Sequence, residues 1–439
     1  MKKQYLNLIG LTAFLLSILA IFSFYPGAMT WDSMDQLRQA RAGEYSDWQP
    51  PAMAFVWGWL IPLIDGPGGM LLLHCGFLWA TGLILYRWCI KEGYSYGILF
   101  LLLPIMPWIM NFQFTIWKDV GMAYSWGLAT AICLYYKNNQ TFPKAAALLI
   151  FVLFLYGSSV RSNSLSAGIF LIPFFANTIF KINNVKSTLA SMIIGCLVMG
   201  LAHFSVAALL GAKKSHSVSY VMFDDIVALK LRGVDVPVSF LDQKKMSSIE
   251  QCDYLADHEI GAAFCLSDEE FTSVTQEHYP ELKAAWMNHI PDNLYIYGTF
   301  RANAFLNLIR SPSLPPYYPS EFRVVNPPYD AKSGIRPMSL VERSVARYVK
   351  TSTKIFPGLF KPYVWIIVSV LLICYFQISR ICRGSSFWLL PMSGFSYAAS
   401  YVLITPATDF RYAYWLIFIS SLSIAIFVNI HFKKTSEAG

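Results

Sequence analysis

Four pairs of polar residues stand out because each sits at the end of a hydrophobic run: Asp32 with Asp35, Lys118 with Asp119, Arg161 with Asn163, and Asp409 with Arg411. Ionisable groups at such positions are costly to keep and commonly pair with one another around a functional cavity. Carboxylates and cations together suit transfer from a lipid-phosphate donor. Cations hold and neutralise the leaving phosphate, Arg through a bidentate fork and Lys as a point charge. A carboxylate takes the acceptor's proton, an effect worth roughly 10²–10⁴-fold. Stabilising the developing phosphate charge at low dielectric adds to it.

Each residue also has a plainer reading. Asp32 and Asp35 have the spacing of a helix N-cap with an acidic third residue. Lys118 and Asp119 could pair with each other or cap a helix, and Arg161 and Arg411 could extend along apolar surface to reach the interface. Asp47 could be a turn residue, and Lys213-Lys214 a solvated positive segment. The functional reading therefore rests on the pairs sharing one side of a membrane. Other chemistries lack their motifs: there is no phosphate-binding glycine loop, no GxSxG elbow and no His or Cys at metal-ligand spacing.

The elements that must position these residues are hydrophobic. Of 439 residues, 55% are hydrophobic and only 14% charged, with mean hydropathy +0.45. Soluble domains carry roughly 25% charged residues. The net charge of +8 comes largely from Lys and Arg flanking apolar runs, so it reads as a membrane signature, and no nucleic-acid partner is expected. Runs long enough to span lie near 6–24, 68–87, 95–113, 120–136, 143–160, 164–181, 187–209, 362–379, 386–405 and 412–430, about ten helices in all. The first resembles a signal peptide but lacks a small-x-small cleavage site and reads as an uncleaved helix.

If Lys2 and Lys3 are cytoplasmic, every even-numbered connection is basic in turn: Arg87 and Lys91, Lys137 and Lys144, Lys181 and Lys186, then Arg380 and Arg383. Lys433 and Lys434 follow the last helix. This is the positive-inside pattern, with both termini inside and all four polar pairs outside. The apolar stretch 52–64 is short and expected to lie at the interface.

The fold class expected is thus an all-α polytopic membrane protein. Residues 1–210 form helices 1–7 and include a first outward loop, 25–67; residues 362–439 form helices 8–10 and a tail. Between them, residues 211–361 form an outward domain, mainly α or α+β, with most of the acidic residues. Its two cysteines, Cys252 and Cys265, close a short loop and suit a disulfide worth about 3 kcal/mol in an oxidising compartment, with free thiols the alternative. The Pro- and Tyr-rich stretch 310–330 is expected to be an extended loop.

The first outward loop, Asp32-Ser33-Met34-Asp35 followed by Gly43-Glu44-Tyr45-Ser46-Asp47-Trp48-Gln49-Pro50-Pro51, resembles that of the GT-C glycosyltransferases. These membrane enzymes use polyprenyl-phosphate sugars; protein O-mannosyltransferases and the aminoarabinose transferases of lipid A are examples. Gln49 stands where that family often has His. Ile116-Trp117-Lys118-Asp119, Val160-Arg161-Ser162-Asn163, Trp286 through Arg301 and Asp409-Phe410-Arg411-Tyr412 are similar to a bacterial, O-antigen-modifying branch. Many family members carry a soluble domain at the C-terminus, whereas here it is inserted between helices 7 and 8.

The resemblance implies Asp32 as catalytic carboxylate, Asp35 or Asp47 as a second acidic group, and Lys118, Arg161 and Arg411 on the donor phosphate. Asp119, Asn163 and Asp409 support them. It implies inverting transfer of a sugar to an O-antigen or lipopolysaccharide-type glycan at the periplasmic face of a bacterial inner membrane, among membrane lipids. No cofactor is expected, with a divalent ion at Asp32 and Asp35 left open. The alternatives are a lipid-linked sugar transporter and an O-antigen polymerase using a lipid-diphosphate glycan. Repeated halves and midplane charges, usual in transporters, are not visible in the sequence.

Overall fold

The computed structural model describes residues 2–182, 184–258, 260–379, 382 and 385–437. Arg380 and Arg383, counted above as topology signals, lie outside the described residues, as do the side chains of Lys2, Lys3 and Lys434. Among the described residues the chain is all helical, with isolated β-bridges but no strand.

Four helices are long and apolar enough to cross a bilayer: Gly68–Glu92, Val185–Leu209, Ser386–Ile404 and Phe410–Lys433. Shorter apolar helices run Leu8–Phe24, Lys144–Ser159, Ser164–Phe180 and Pro362–Ile378. The Val185–Leu209 helix is apolar all round and almost wholly exposed, with Ile193, Leu197, Leu201 and Phe204 open to the surroundings. Such a surface has a low cost in lipid, not in water, and the pattern is compatible with a multi-pass membrane protein.

The Lys118–Tyr136 helix is the axis of the bundle, buried from Asp119 through Leu134 between the Gly68–Glu92, Lys144–Ser159 and Tyr414–Glu437 helices. Its 19 residues rise about 28 Å, close to a bilayer's hydrocarbon thickness. At its far end Lys91 donates to the Tyr135 carbonyl (2.9 Å), Lys181 donates to the Lys137 carbonyl, and Lys433 donates to the Glu92 carbonyl (2.6 Å). These basic residues thus cap the carbonyl ends of helices at one end of the bundle, and Lys118 stands at the other.

Two apolar runs differ from a spanning helix. Residues 95–113 break into Ile98–Leu102, a 3₁₀ turn over Leu103–Ile105, and Pro107–Gln113. Pro104 and Pro107 remove amide donors, and proline restrains the residue before it from helical geometry. Within 52–64 the helix is Ala52–Leu60, nine residues rising about 14 Å, too short to cross alone.

Residues 211–361 divide by packing. Those from Phe223 to Ile290 have their own apolar core, built on Phe223, Ile226, Leu229, Val274 and Leu282, and Cys252 and Cys265 are disulfide-bonded beside it. Leu308, Tyr317, Phe322, Val325, Val349 and Phe360 instead join the core of the main bundle. Residues 311–339 between them contain no helix and are largely irregular.

Candidate functional site

A backbone junction sets the site. Ala28 donates its amide to the Phe114 carbonyl (2.8 Å) and accepts from the Ile116 amide (3.0 Å). Gly27 permits the approach: its φ is +116°, and a Cβ there would stand 2.8 Å from the Ile116 side chain. Two helices leave this junction together, Trp31–Ala42 and Lys118–Tyr136. Thr30 caps the first, with the Ser33 hydroxyl accepting from its amide at 3.2 Å. Ser33 then donates to the Ile116 carbonyl (2.6 Å), and the Trp117 indole donates to the Thr30 hydroxyl (2.7 Å). Capping therefore falls to Thr30 and Ser33, and leaves the Asp32 carboxylate for other partners.

That carboxylate meets Arg411, 2.5 Å away across the fold. Arg411 also pairs with Asp409 at 3.0 Å, and its guanidinium lies 5.0 Å from the centre of the Trp117 ring. Asp409 accepts from the Arg411 amide (3.0 Å), so it caps the short Phe410–Ala413 turn. Behind Arg411 the Tyr412 ring lies 5.2 Å from that guanidinium and 4.9 Å from the Arg161 guanidinium. Arg161 pairs with buried Asp119 at 3.2 Å, and donates to Asn163 (3.2 Å) and the Tyr401 hydroxyl (2.8 Å).

Lys118 makes no hydrogen bond or ion pair with the described residues, yet the charges of Arg161, Asp32, Asp119 and Arg411 all act on it. The structure thus gathers Asp32, Lys118, Asp119, Arg161, Asn163, Asp409 and Arg411 into one cluster. The starts of two helices and of the Phe410–Ala413 turn converge there, and their free amides add positive potential. Burial disfavours ionisation of Asp32, but the Arg411 charge, then Lys118, the Arg411 hydrogen bond and Arg161, outweigh it and hold the carboxyl at about 2. For Asp409 burial prevails over Arg411, and its carboxyl lies above the usual range.

Two expected residues stand elsewhere. Asp35 turns to Arg38 (2.6 Å) and the Gln39 amide (2.7 Å). Asp47 accepts from the Ser215 amide (2.5 Å) and hydroxyl (2.8 Å), fastening the first loop to the chain beyond the Val185–Leu209 helix. Gln49 is buried and accepts from Gln36 at 2.7 Å. Among the described residues no group of three or more His, Cys, Asp or Glu could hold a metal ion.

Three aromatic groups complete the cluster: Trp117 and Tyr412, which stand in the quoted motifs without an assigned role, and Tyr401, which the sequence did not single out. Two of them adjoin the charged residues in sequence, which was a usable signal. Tyr220, whose buried hydroxyl lacks a described partner, feels the charge of Arg411. Trp286 and Arg301 play a different part. Arg301 pairs with Asp225 at 2.7 Å, donates to the Val221 and Thr405 carbonyls at 2.9 and 3.0 Å, and Trp286 donates to Asp225 at 2.8 Å. With the Thr408–His258 hydrogen bond (2.9 Å), this ties the outer core to the loop that carries Asp409 and Arg411.

No family model matches the chain, and no curated protein or solved structure matches it either.

Proposed function

We propose that this chain is a membrane glycosyltransferase of the GT-C type. It moves a sugar from a polyprenyl-phosphate donor to a cell-envelope glycan, of the O-antigen or lipopolysaccharide kind, on the periplasmic face of a bacterial inner membrane. The observation that carries the reading is the Asp32–Arg411 pair beside Lys118, a cation with no partner among the described residues. The topology that goes with it has about ten spans and both termini inside. Lys91, Lys181 and Lys433 at one end of the axial helix and the cluster at the other support that orientation.

Charge balance favours a phosphodiester donor over a diphosphate. Asp32, Asp119 and Asp409 oppose Lys118, Arg161 and Arg411, so the cluster is close to neutral. A phosphodiester brings one negative charge and a diphosphate at least two, and each uncompensated charge is costly at low dielectric. Asp409, whose carboxyl accepts a proton more readily than usual, absorbs part of that load.

Donor phosphate engages Lys118 first and then draws Arg411 from Asp32. Clamped at about 2, the Asp32 carboxyl is a weak base; relieved of Arg411, its proton affinity rises. Asp32 then accepts the proton of the acceptor hydroxyl. The hydroxyl oxygen bonds to the anomeric carbon as the carbon–phosphate oxygen bond breaks. That electron pair passes to the phosphate, held by Arg411 and Lys118 with Arg161 behind them. One displacement inverts the anomeric centre.

The test compares cell-surface glycans by mass spectrometry in cells with the gene, without it, and with Asp32→Asn. A loss of one hexose per repeat in both altered strains is expected. A change in glycan chain length alone points to polymerisation and overturns the reading.

A further inference from the structure

The Leu340–Ile355 helix takes no part in the cluster, yet its surface divides into three distinct faces. At 3.6 residues per turn, one face carries Glu342, Val349, Ser352 and Thr353, all buried. This face rests on the Pro107–Gln113 helix and the Pro357–Phe360 turn. A second face carries Arg343, Arg347, Lys350 and Lys354, spaced i, i+4, i+7 and i+11 so that they form one stripe. All four are exposed, and none makes a side-chain hydrogen bond or ion pair with the described residues. A third face exposes Val341, Tyr348 and Ile355 at 43%, 44% and 62%, repeating every seven residues.

A soluble helix would keep that third face polar. The helix as a whole adjoins the Lys2–Phe24 helix, which exposes Leu15, Leu19 and Phe22, and on the third face the Tyr348 hydroxyl donates to the Ile105 carbonyl at 3.0 Å. Seven residues later the Pro362–Ile378 apolar helix begins. The apolar strip is therefore continuous with surface suited to acyl chains. On a helix lying at the interface, a basic stripe on another face is placed to meet headgroup phosphates.

We propose that the Leu340–Ile355 helix lies in the bilayer interface and binds the phosphates of anionic lipids in the same membrane through Arg343, Arg347, Lys350 and Lys354. The arrangement favours this over a soluble partner: around the helix the basic stripe and the exposed apolar face flank the polar Ser344 and Thr351, with the buried face on the far side, the division expected of a helix lying at the waterline. Cations held against an anionic membrane surface each contribute about fivefold to binding at low salt, less as salt screens them. The inference rests on the membrane reading and not on the chemistry at Asp32.

The full-length chain, purified in a neutral detergent, is given equimolar phosphatidylglycerol and phosphatidylcholine, and retained lipid is counted by native mass spectrometry. The wild-type chain is expected to keep phosphatidylglycerol in preference. R343Q/R347Q/K350Q/K354Q is expected to lose that preference at least tenfold with unchanged circular dichroism. The matched variant K214Q/K244Q/K283Q/K332Q removes the same charge from exposed positions outside the stripe and is expected to keep it. Equal retention of both lipids by the wild-type chain overturns the proposal and points instead to an acidic protein partner. So does equal loss in both variants, which reports net charge, or an unchanged preference in the stripe variant.

Discussion

Two of the carboxylate–arginine pairs in this molecule are built for opposite ends. At Asp225 and Arg301 every charge is enclosed: the side chains are 0% and 2% exposed, and Trp286, Val221 and Thr405 supply further hydrogen-bond partners. At Asp32 and Arg411 the side chains are 31% and 17% exposed, and Lys118 stands beside them with no partner among the described residues. A fully buried pair, backed by hydrogen bonds to Trp286 and to two backbone carbonyls, holds two pieces of chain in register. Under the proposed function, the half-open pair and the neighbouring Lys118 hold charges ready for exchange. Geometry at the pair itself is much the same, so what separates staple from site is the surroundings.

The largest effect expected tests the open pair. Asp32→Asn keeps the shape and leaves Arg411 bound to Asp409, so the protein inserts normally while sugar transfer falls by roughly 10²–10⁴-fold, the usual worth of a positioned base. Transfer by purified protein in vesicles measures it. Retained activity removes Asp32 from the chemistry and erases the contrast between the pairs.

The closed pair makes the complementary prediction. Arg301→Met strands buried Asp225 and is expected to cost about 3–5 kcal/mol in the stability of the outer core. The double variant R301M/D225L, which removes both charges, recovers most of that loss. Hydrogen exchange over Ser219–Leu231 in the full-length chain reports both. A single variant as stable as the wild type means the staple carries no weight.

How far the sequence announced these two places differs for a physical reason. Asp32, Lys118, Arg161 and Arg411 were legible because each interrupts or ends an apolar run, and counting helices then assigns them one side. Gln49 and Asp35, quoted in the same motif, gave no sign of their separate partners, which depend on contacts absent from any local pattern. The pairing of Ala28 with Phe114 and Ile116 was hidden for the same reason. In 95–113, hydropathy spoke for a single helix while Pro104 and Pro107 spoke against it, and backbone chemistry prevailed. Arg301 read as a member of a functional motif because sequence shows its charge but not its enclosure.

A smaller effect sharpens the comparison at its centre. Lys118→Gln removes the cation with no partner among the described residues and leaves the Asp32–Arg411 and Arg161–Asp119 pairs in place. If Lys118 is the first contact for donor phosphate, KM for the donor rises about tenfold, one charge-assisted hydrogen bond's worth, while kcat changes less. A kcat loss with unchanged KM assigns Lys118 to the departing phosphate instead.

The last effect expected lies beside the closed pair and depends on pH. Asp224 is buried against a cavity of about 180 Å³ lined by Val227, Leu231, Leu255, Ile260 and Phe300. One carboxylate oxygen accepts from the Ala262 amide at 2.8 Å, and the other has no described partner. Burial pushes this carboxyl up to about 7 even though the Arg301 charge and the Ala262 amide pull it down. Between pH 4 and 7 the folded chain therefore holds a proton that the unfolded chain releases, so Asp224 reduces stability as pH rises, up to about 7. Asp224→Asn keeps the acceptor for Ala262 and cannot ionise. It is expected to stabilise the outer core by about 1–3 kcal/mol at pH 8 and by much less at pH 5. Hydrogen exchange over Ser219–Leu231, corrected for its intrinsic pH dependence, measures the difference. An equal effect at both pH values means that Asp224 stays ionised in the fold, and Arg301 then serves two carboxylates instead of one.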